Sequence, residues 1–165
     1  MTVYIDFDGV ILDTDKIIDE EYQKRTNIER SEFVKNYDWC LLVNKSDIIN
    51  NSLSNLKSSK FDIKILSKIS SLNEGIAKVN FLRDKDISCD IHLVPTKISK
   101  SDMVNPLDNI LVDDKLYNLD EWVNKGGKAI FFNKNNEDID IKGKTNNKYP
   151  KISSLDILLQ DRIDI

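Results

Sequence analysis

The chain has 165 residues, 40% of them hydrophobic and 32% charged, the composition of one globular domain large enough to bury its own core. No apolar run approaches the roughly 18 residues of a membrane span, and a net charge of −4 with a pI of about 5.1 excludes the basic footprint of a long nucleic-acid tract. Cys40 and Cys89 stand apart, without CxxC spacing or a His/Cys cluster, so reduced thiols in a cytoplasmic protein are expected.

The opening residues enter a strand directly, so no signal peptide is expected. Val3 to Phe7 reads as a strand buried on both faces, and Asp6 and Asp8 stand at alternate positions where the run ends before Gly9. Residues two apart on a strand point the same way, so both carboxylates are expected at its carboxyl end, where open α/β sheets bind ligands. Two like charges placed there are costly unless a cation or a mechanism compensates.

From Asp13 to Lys60 the chain turns charged and asparagine-rich. Apolar residues recur at helical spacing: Ile17, Ile18 and Tyr22, then Phe33, Val34, Tyr37 and Leu41 after a capping Ser31. A third helix is expected over Ser46 to Leu56. Strand character returns at Phe61 to Leu66, ending at Ser67, and Asn73 to Lys85 is helical. Cys89 to Val94 is a strand closed by Pro95, and Ile110 to Val112 is another, ending in Asp113 and Asp114. Leu119, Trp122 and Val123 mark a helix stopped by Gly126 and Gly127. Lys128 to Phe132 is the fifth strand, and Ile152 to Leu159 is expected as a last helix. Strands alternating with helices imply βαβ units and a parallel sheet.

Four features fall at successive strand ends: Asp6 with Asp8, Ser67, Lys100, and Asp113 with Asp114. Alone, each has a plain structural reading as a turn residue, a cap or a solvated lysine. On one rim they match phosphate chemistry. Carboxylates from two strand ends suit Mg²⁺, which takes oxygen ligands and keeps waters. A lysine would neutralise charge on the phosphoryl group, one aspartate could attack phosphorus, and a second could move the proton.

Asp6-Phe7-Asp8-Gly9-Val10-Ile11-Leu12-Asp13-Thr14 resembles the first motif of the haloacid dehalogenase-like superfamily. Ser67 occupies the place of its second motif, Lys100 that of the third, and Ile110 to Asp114 is similar to the fourth. The resemblance runs from residue 3 to about residue 132. It implies a Rossmann-like three-layer α/β sandwich with a mainly parallel five-stranded sheet, a catalytic core of residues 1–12 and 61–165, and a small helical cap over residues 13–60. It implies Asp6 as nucleophile and Asp8 as general acid/base. Asp6, the backbone carbonyl of Asp8, and Asp113 would hold Mg²⁺, with Asp114 as a supporting carboxylate. Ser67 and Lys100 would bind phosphate, with Lys97 as the rival lysine. An acid at position 8 favours phosphoryl transfer over dehalogenation. Asp113 to Trp122 and Gly126 to Asn133 further resemble 5′(3′)-deoxyribonucleotidase-type members, as does Ser99 to Val104.

The expected activity is thus a Mg²⁺-dependent phosphomonoesterase acting through an aspartyl-phosphate, on a small phosphorylated metabolite such as a nucleoside monophosphate. The alternatives are a sugar-phosphate phosphatase or phosphomutase of the same fold, a non-catalytic phospholigand or Mg²⁺-binding module, and the phosphatase half of a nucleic-acid end-repair enzyme. Neither a long nucleic acid nor a membrane is an expected partner. The cap's Tyr22, Phe33, Tyr37 and Trp39 could stack on a base or form the cap's own small core. His92 and Trp122 read as structural, and Asn118 as a cap or a support for the fourth-motif loop.

Overall fold

The structure, a computed structural model, describes residues 1–25 and 27–165. Its centre is a six-stranded sheet in the order β3-β2-β1-β4-β5-β6, parallel throughout. The strands are β1 (Thr2–Ile5), β2 (Asp62–Ile69), β3 (Asp90–Pro95), β4 (Ile110–Asp113), β5 (Lys128–Phe132) and β6 (Lys151–Ile152). Strand order reverses beside β1: the chain leaves it for β2 and β3 on one side, and for β4 to β6 on the other. Such a switch point leaves a crevice at the carboxyl ends of the central strands.

The helices are α1 (Thr14–Tyr22), α2 (Arg30–Asn36), α3 (Trp39–Lys45), α4 (Ser52–Lys57), α5 (Leu72–Asp84), α6 (Lys100–Met103) and α7 (Leu116–Val123), followed by a 3₁₀ turn at Leu155–Leu159. Side-chain alternation along the strands divides the core between two layers. Val3, Ile5, Ile63, Ile65, Ile110, Val112 and Ile130 meet Ala77, Phe81 and Leu82 of α5 on one face. Tyr4, Leu66, Leu111, Ala129 and Phe131 meet Leu116, Leu119 and Trp122 of α7 on the other. The fold is therefore the expected three-layer α/β sandwich.

The sheet has one strand more than expected. Lys151 and Ile152 pair with Phe131 and Phe132, so the expected last helix is instead a short strand followed by the 3₁₀ turn. Strand β1 ends at Ile5, which puts Asp6 and Asp8 in the turn beyond it. There Gly9 takes a left-handed φ of 76°, and Ile11 and Leu12 both donate to the Phe7 carbonyl. Strand β2 runs on to Ile69, which leaves Ser67 inside the strand.

The described residues between 13 and 60 include four short helices. The expected second helix divides at Tyr37 and Asp38, where Asp38 caps α3 by accepting from the Leu41 amide. The expected third helix shortens to Ser52–Lys57. These helices share one continuous apolar cluster with the sheet, because Ile18, Phe33, Trp39, Leu42, Leu53 and Leu56 pack into the layer that holds Val3 and Ile5. Among the described residues no helix is long and apolar enough to cross a membrane.

Candidate active site

Asp6 follows β1 directly, and its amide donates to the Val112 carbonyl of β4 at 3.0 Å. The carboxyl is 5% exposed. Its Oδ1 accepts from the Phe7 amide at 2.8 Å and lies 2.8 Å from Lys100 Nζ. Lys100 opens α6, is 1% exposed, and reaches Asp113 Oδ2 at 2.7 Å. One buried ammonium therefore bridges carboxylates from two neighbouring strand ends. Asp113 is further held by the Lys115 amide at 2.9 Å and by Asn118 Nδ2, 3.0 Å from both of its oxygens. Asn118 thus secures the turn after β4. Lys97, the rival lysine, is exposed.

Burial sets the electrostatics here. It pushes the Asp6 carboxyl up to about 6, against the pull of Lys100. It also raises Asp114 well above the ordinary carboxylate range, with Lys115 opposing. Ligand oxygens of Asp6, Asp113 and Asp114 lie within 4.8 Å of one another, and the buried Asp114 Oδ1 makes no hydrogen bond, only an ion pair with Lys115 Nζ at 3.4 Å. Three hard oxygen donors, one of them without a hydrogen bond, are the chemistry that Mg²⁺ takes, so these residues fit that ion. Gly9 approaches so closely that a Cβ there would collide with the Asp114 carboxylate. Beside this cluster a cleft of about 320 Å³ opens, lined by Gly9, Asp13, Asp114, Phe132 and Asn133 among others.

Asp8 does not share the Lys100 bridge. Its Oδ1 accepts from Thr14 Oγ1 at 2.7 Å, and its Oδ2 meets Lys78 Nζ at 2.5 Å. Lys78 is fully buried in α5 and also donates to Glu74 Oε1 at 2.6 Å, to Ser67 Oγ at 3.0 Å and to the Lys68 carbonyl at 3.0 Å. Trp39 and Phe7 line the same ammonium, 4.9 and 5.4 Å from their ring centres. Burial alone would raise the Asp8 carboxyl, but Lys78 and Thr14 hold it below the ordinary range.

The predicted residues therefore fall into two groups: Asp6, Lys100, Asp113 and Asp114 in one, Asp8 and Ser67 around Lys78 in the other. The recorded partners of Ser67 are Lys78 and the Lys68 carbonyl. Sequence reasoning missed Lys78 and Glu74. Four apart on a helix, they look like an ordinary surface ion pair, and the helix that carries them is capped by Ser71, which accepts from the Glu74 amide.

Other candidates take structural places. Tyr22, Phe33 and Tyr37 pack on one another with centroids 5.5 and 5.1 Å apart, the small cap core weighed above. Trp39 is buried, its Nε1 donating to the Val34 carbonyl at 2.9 Å. Trp122 fills the α7 layer and donates to the Asn109 carbonyl at 3.2 Å. His92 sits in β3 with its ring edge against Tyr4.

The chain matches no protein-family model and no curated protein. It superposes on solved structures. A candidate phosphatase from Clostridium difficile aligns with a TM-score of 0.61 at 12% identity, covering 96% of this chain and 98% of that one. The magnesium-bound candidate HAD-hydrolase YfnB from Bacillus subtilis aligns at 0.59 and 14%, covering 95% and 96%. The L-2-haloacid dehalogenase of Xanthobacter autotrophicus aligns at 0.58 and 11%, covering 94% and 96%. The fold is that of the haloacid dehalogenase-like hydrolases.

Proposed function

We propose that this protein is a Mg²⁺-dependent phosphomonoesterase that works through an aspartyl-phosphate on Asp6, with a small phosphorylated metabolite as its substrate. The observation that carries this reading is the Lys100 ammonium seated between Asp6 and Asp113 at the switch point of a parallel sheet. Nucleoside monophosphates are the first substrate class to examine, on the strength of the sequence resemblance over Asp113–Asn133.

In this reading the Asp6 carboxylate attacks phosphorus, the bond from phosphorus to the leaving oxygen breaks, and Asp8 delivers a proton to that oxygen. Water then attacks the acyl phosphate, Asp8 takes the water's proton, and phosphate departs with Asp6 restored. Lys100 opposes the charge on the phosphoryl oxygens. Mg²⁺ held by Asp6, Asp113 and Asp114 would add further positive charge at the same oxygens. Asp8 rests ionised against Lys78, which suits the water-activating half. The arriving phosphate's negative charge favours the proton that the first half needs.

The test is phosphate release from a broad panel of phosphomonoesters with and without Mg²⁺, alongside Asp6→Asn. Mg²⁺-dependent release that Asp6→Asn abolishes, in a protein with unchanged circular dichroism, is the expected outcome. Undiminished turnover by Asp6→Asn would reject Asp6 as nucleophile, and no release from any ester would reject the phosphatase reading.

A further inference from the structure

On the α7 side of the sheet, beside the Lys100 bridge, two further lysines converge on one ring. Lys68 Nζ lies 5.3 Å from the Tyr117 ring centre and Lys142 Nζ lies 4.4 Å from it. Both distances are within the reach of a cation–π contact. Lys68 follows Leu66 by two on β2, so it faces the α7 layer that Leu66 joins. Register places Ile5 opposite Ile65, and Asp6 follows at the end of the neighbouring strand with its carboxyl turned to Lys100. Tyr117 stands next to Asn118, the residue that grips Asp113.

The arrangement is built rather than loose. Asp140 is 5% exposed. Its Oδ1 accepts from the Lys142 and Lys144 amides at 2.9 and 2.8 Å, and its Oδ2 from the Leu116 amide at 3.3 Å. That carboxylate pins the loop carrying Lys142 to the first residue of α7, one position before Tyr117. Lys78, Lys100 and Lys115 are each paired with an acid. Among the described residues, neither Lys68 nor Lys142 has a carboxylate oxygen within the 4.0 Å of an ion pair. Burial holds the Lys68 ammonium below its ordinary range; Glu121, Asp113 and Asp6 pull the other way, and Lys100 acts with burial.

We propose that Lys68, Tyr117 and Lys142 form a second anion subsite beside the reacting centre, so that the preferred substrate is a phosphomonoester whose leaving group carries another phosphate or a carboxylate. The inference rests on the phosphatase reading for which phosphate reacts at Asp6. A neutral nucleobase on Tyr117 would compete with two cations already over the ring and satisfy neither. An anion could accept from both ammonium groups, neither of which has a carboxylate at ion-pair distance among the described residues.

The test compares thymidine 3′,5′-bisphosphate with thymidine 5′-monophosphate, and fructose 1,6-bisphosphate with fructose 6-phosphate. Turnover is measured on the native protein, and binding by calorimetry on Asp6→Asn, both with Mg²⁺. The expected preference for the doubly charged member is about tenfold or more, the scale of one charge-assisted hydrogen bond. It should fall to near unity in the Lys68→Met/Lys142→Met double variant. Equal handling of both members by the native protein overturns the subsite and leaves the phosphatase standing. So does a double variant that loses activity equally on both members of a pair, which would assign the lysines to the reacting phosphate. A binding preference in Asp6→Asn with no release from any ester supports the subsite and rejects the phosphatase.

Discussion

Lys78 Nζ lies 2.5 Å from Asp8 Oδ2 and 2.6 Å from Glu74 Oε1, with its side chain fully buried. The contact ties the first motif to helix α5, 70 residues later in the chain. Glu74 is itself oriented by Ser70, whose amide and hydroxyl donate to Oε2 at 2.7 and 2.6 Å. The proposed proton-transfer residue is therefore held by a cation that is itself held on its far side.

Removing that cation should change how Asp8 titrates. Burial raises its carboxyl, but Lys78, with Lys115 and Thr14, brings it below 3.8. Stability from this group is thus full above 3.8 and lost as pH falls through the folded value. In Lys78→Met only Lys115 and the Thr14 hydrogen bond still oppose burial, so Asp8 protonates at higher pH and its base form is lost sooner on acidification. The expected result is a loss in kcat of roughly 10²-fold with the acidic limb of the pH–rate profile moved upward. Glu74→Gln, which keeps the Lys78–Asp8 contact, should leave that limb near its original position. Since a broken buried pair costs about 3–5 kcal/mol, thermal melts of both variants accompany the kinetics. An unshifted limb in folded Lys78→Met would refute the coupling.

The two lysines of the segment after β3 separate cleanly by environment. Lys100 is buried between two carboxylates, and Lys97 is solvent-exposed. Lys100→Ala should lower kcat/KM by roughly 10²–10³, the loss typical of one preorganised donor to transition-state charge. Lys97→Ala should stay within about twofold, as a solvated surface substitution does. Comparable losses at both positions would contradict the geometry.

Much of this architecture is legible in the chain. Continuous apolar runs at residues 3–5, 110–112 and 129–132 announce strands buried on both faces, and the acid pairs beside them mark the rim. Strand ends are less legible. Asp6 and Asp8 alternate as a strand would, yet Gly9 and the Phe7 carbonyl turn the chain at once, so the two carboxyls part company. Lys151 and Ile152 become a strand only because β5 leaves an open edge for them, a tertiary cause with no local signal. Lys78 was invisible for the same kind of reason: its burial depends on Trp39 and Phe7, which the fold brings in from distant parts of the chain.

Magnesium should stabilise the protein in a pH-dependent way. With Asp6 raised to about 6 and Asp114 also raised well above the ordinary carboxylate range, the folded metal-free chain holds protons that the unfolded chain has released above 3.8. Its stability therefore falls as pH rises from about 4 through 6. Mg²⁺ replaces those protons, so the increase in Tm on adding it should be small at pH 5 and large at pH 8. At 100-fold excess over Kd the gain is about 2.7 kcal/mol. A shift of equal size at both pH values would show that the cation binds away from these carboxyls.

Gly9 and Gly143 allow backbone strain to be separated from disruption of the site. Both adopt left-handed backbone, with φ of 76° and 78°. A Cβ on Gly143 would meet nothing within 4 Å, whereas one on Gly9 would run into the Asp114 carboxylate. Each alanine substitution should cost about 1–2 kcal/mol for the left-handed conformation, which thermal or denaturant unfolding measures. Only Gly9→Ala displaces a proposed metal ligand, so only Gly9→Ala should also weaken Mg²⁺ binding, read by calorimetry, and lower kcat. Gly143→Ala should keep native Mg²⁺ affinity despite a similar loss of stability. Unchanged Mg²⁺ affinity in Gly9→Ala would remove Asp114 from the metal site and leave Asp6 and Asp113 to hold the cation without it.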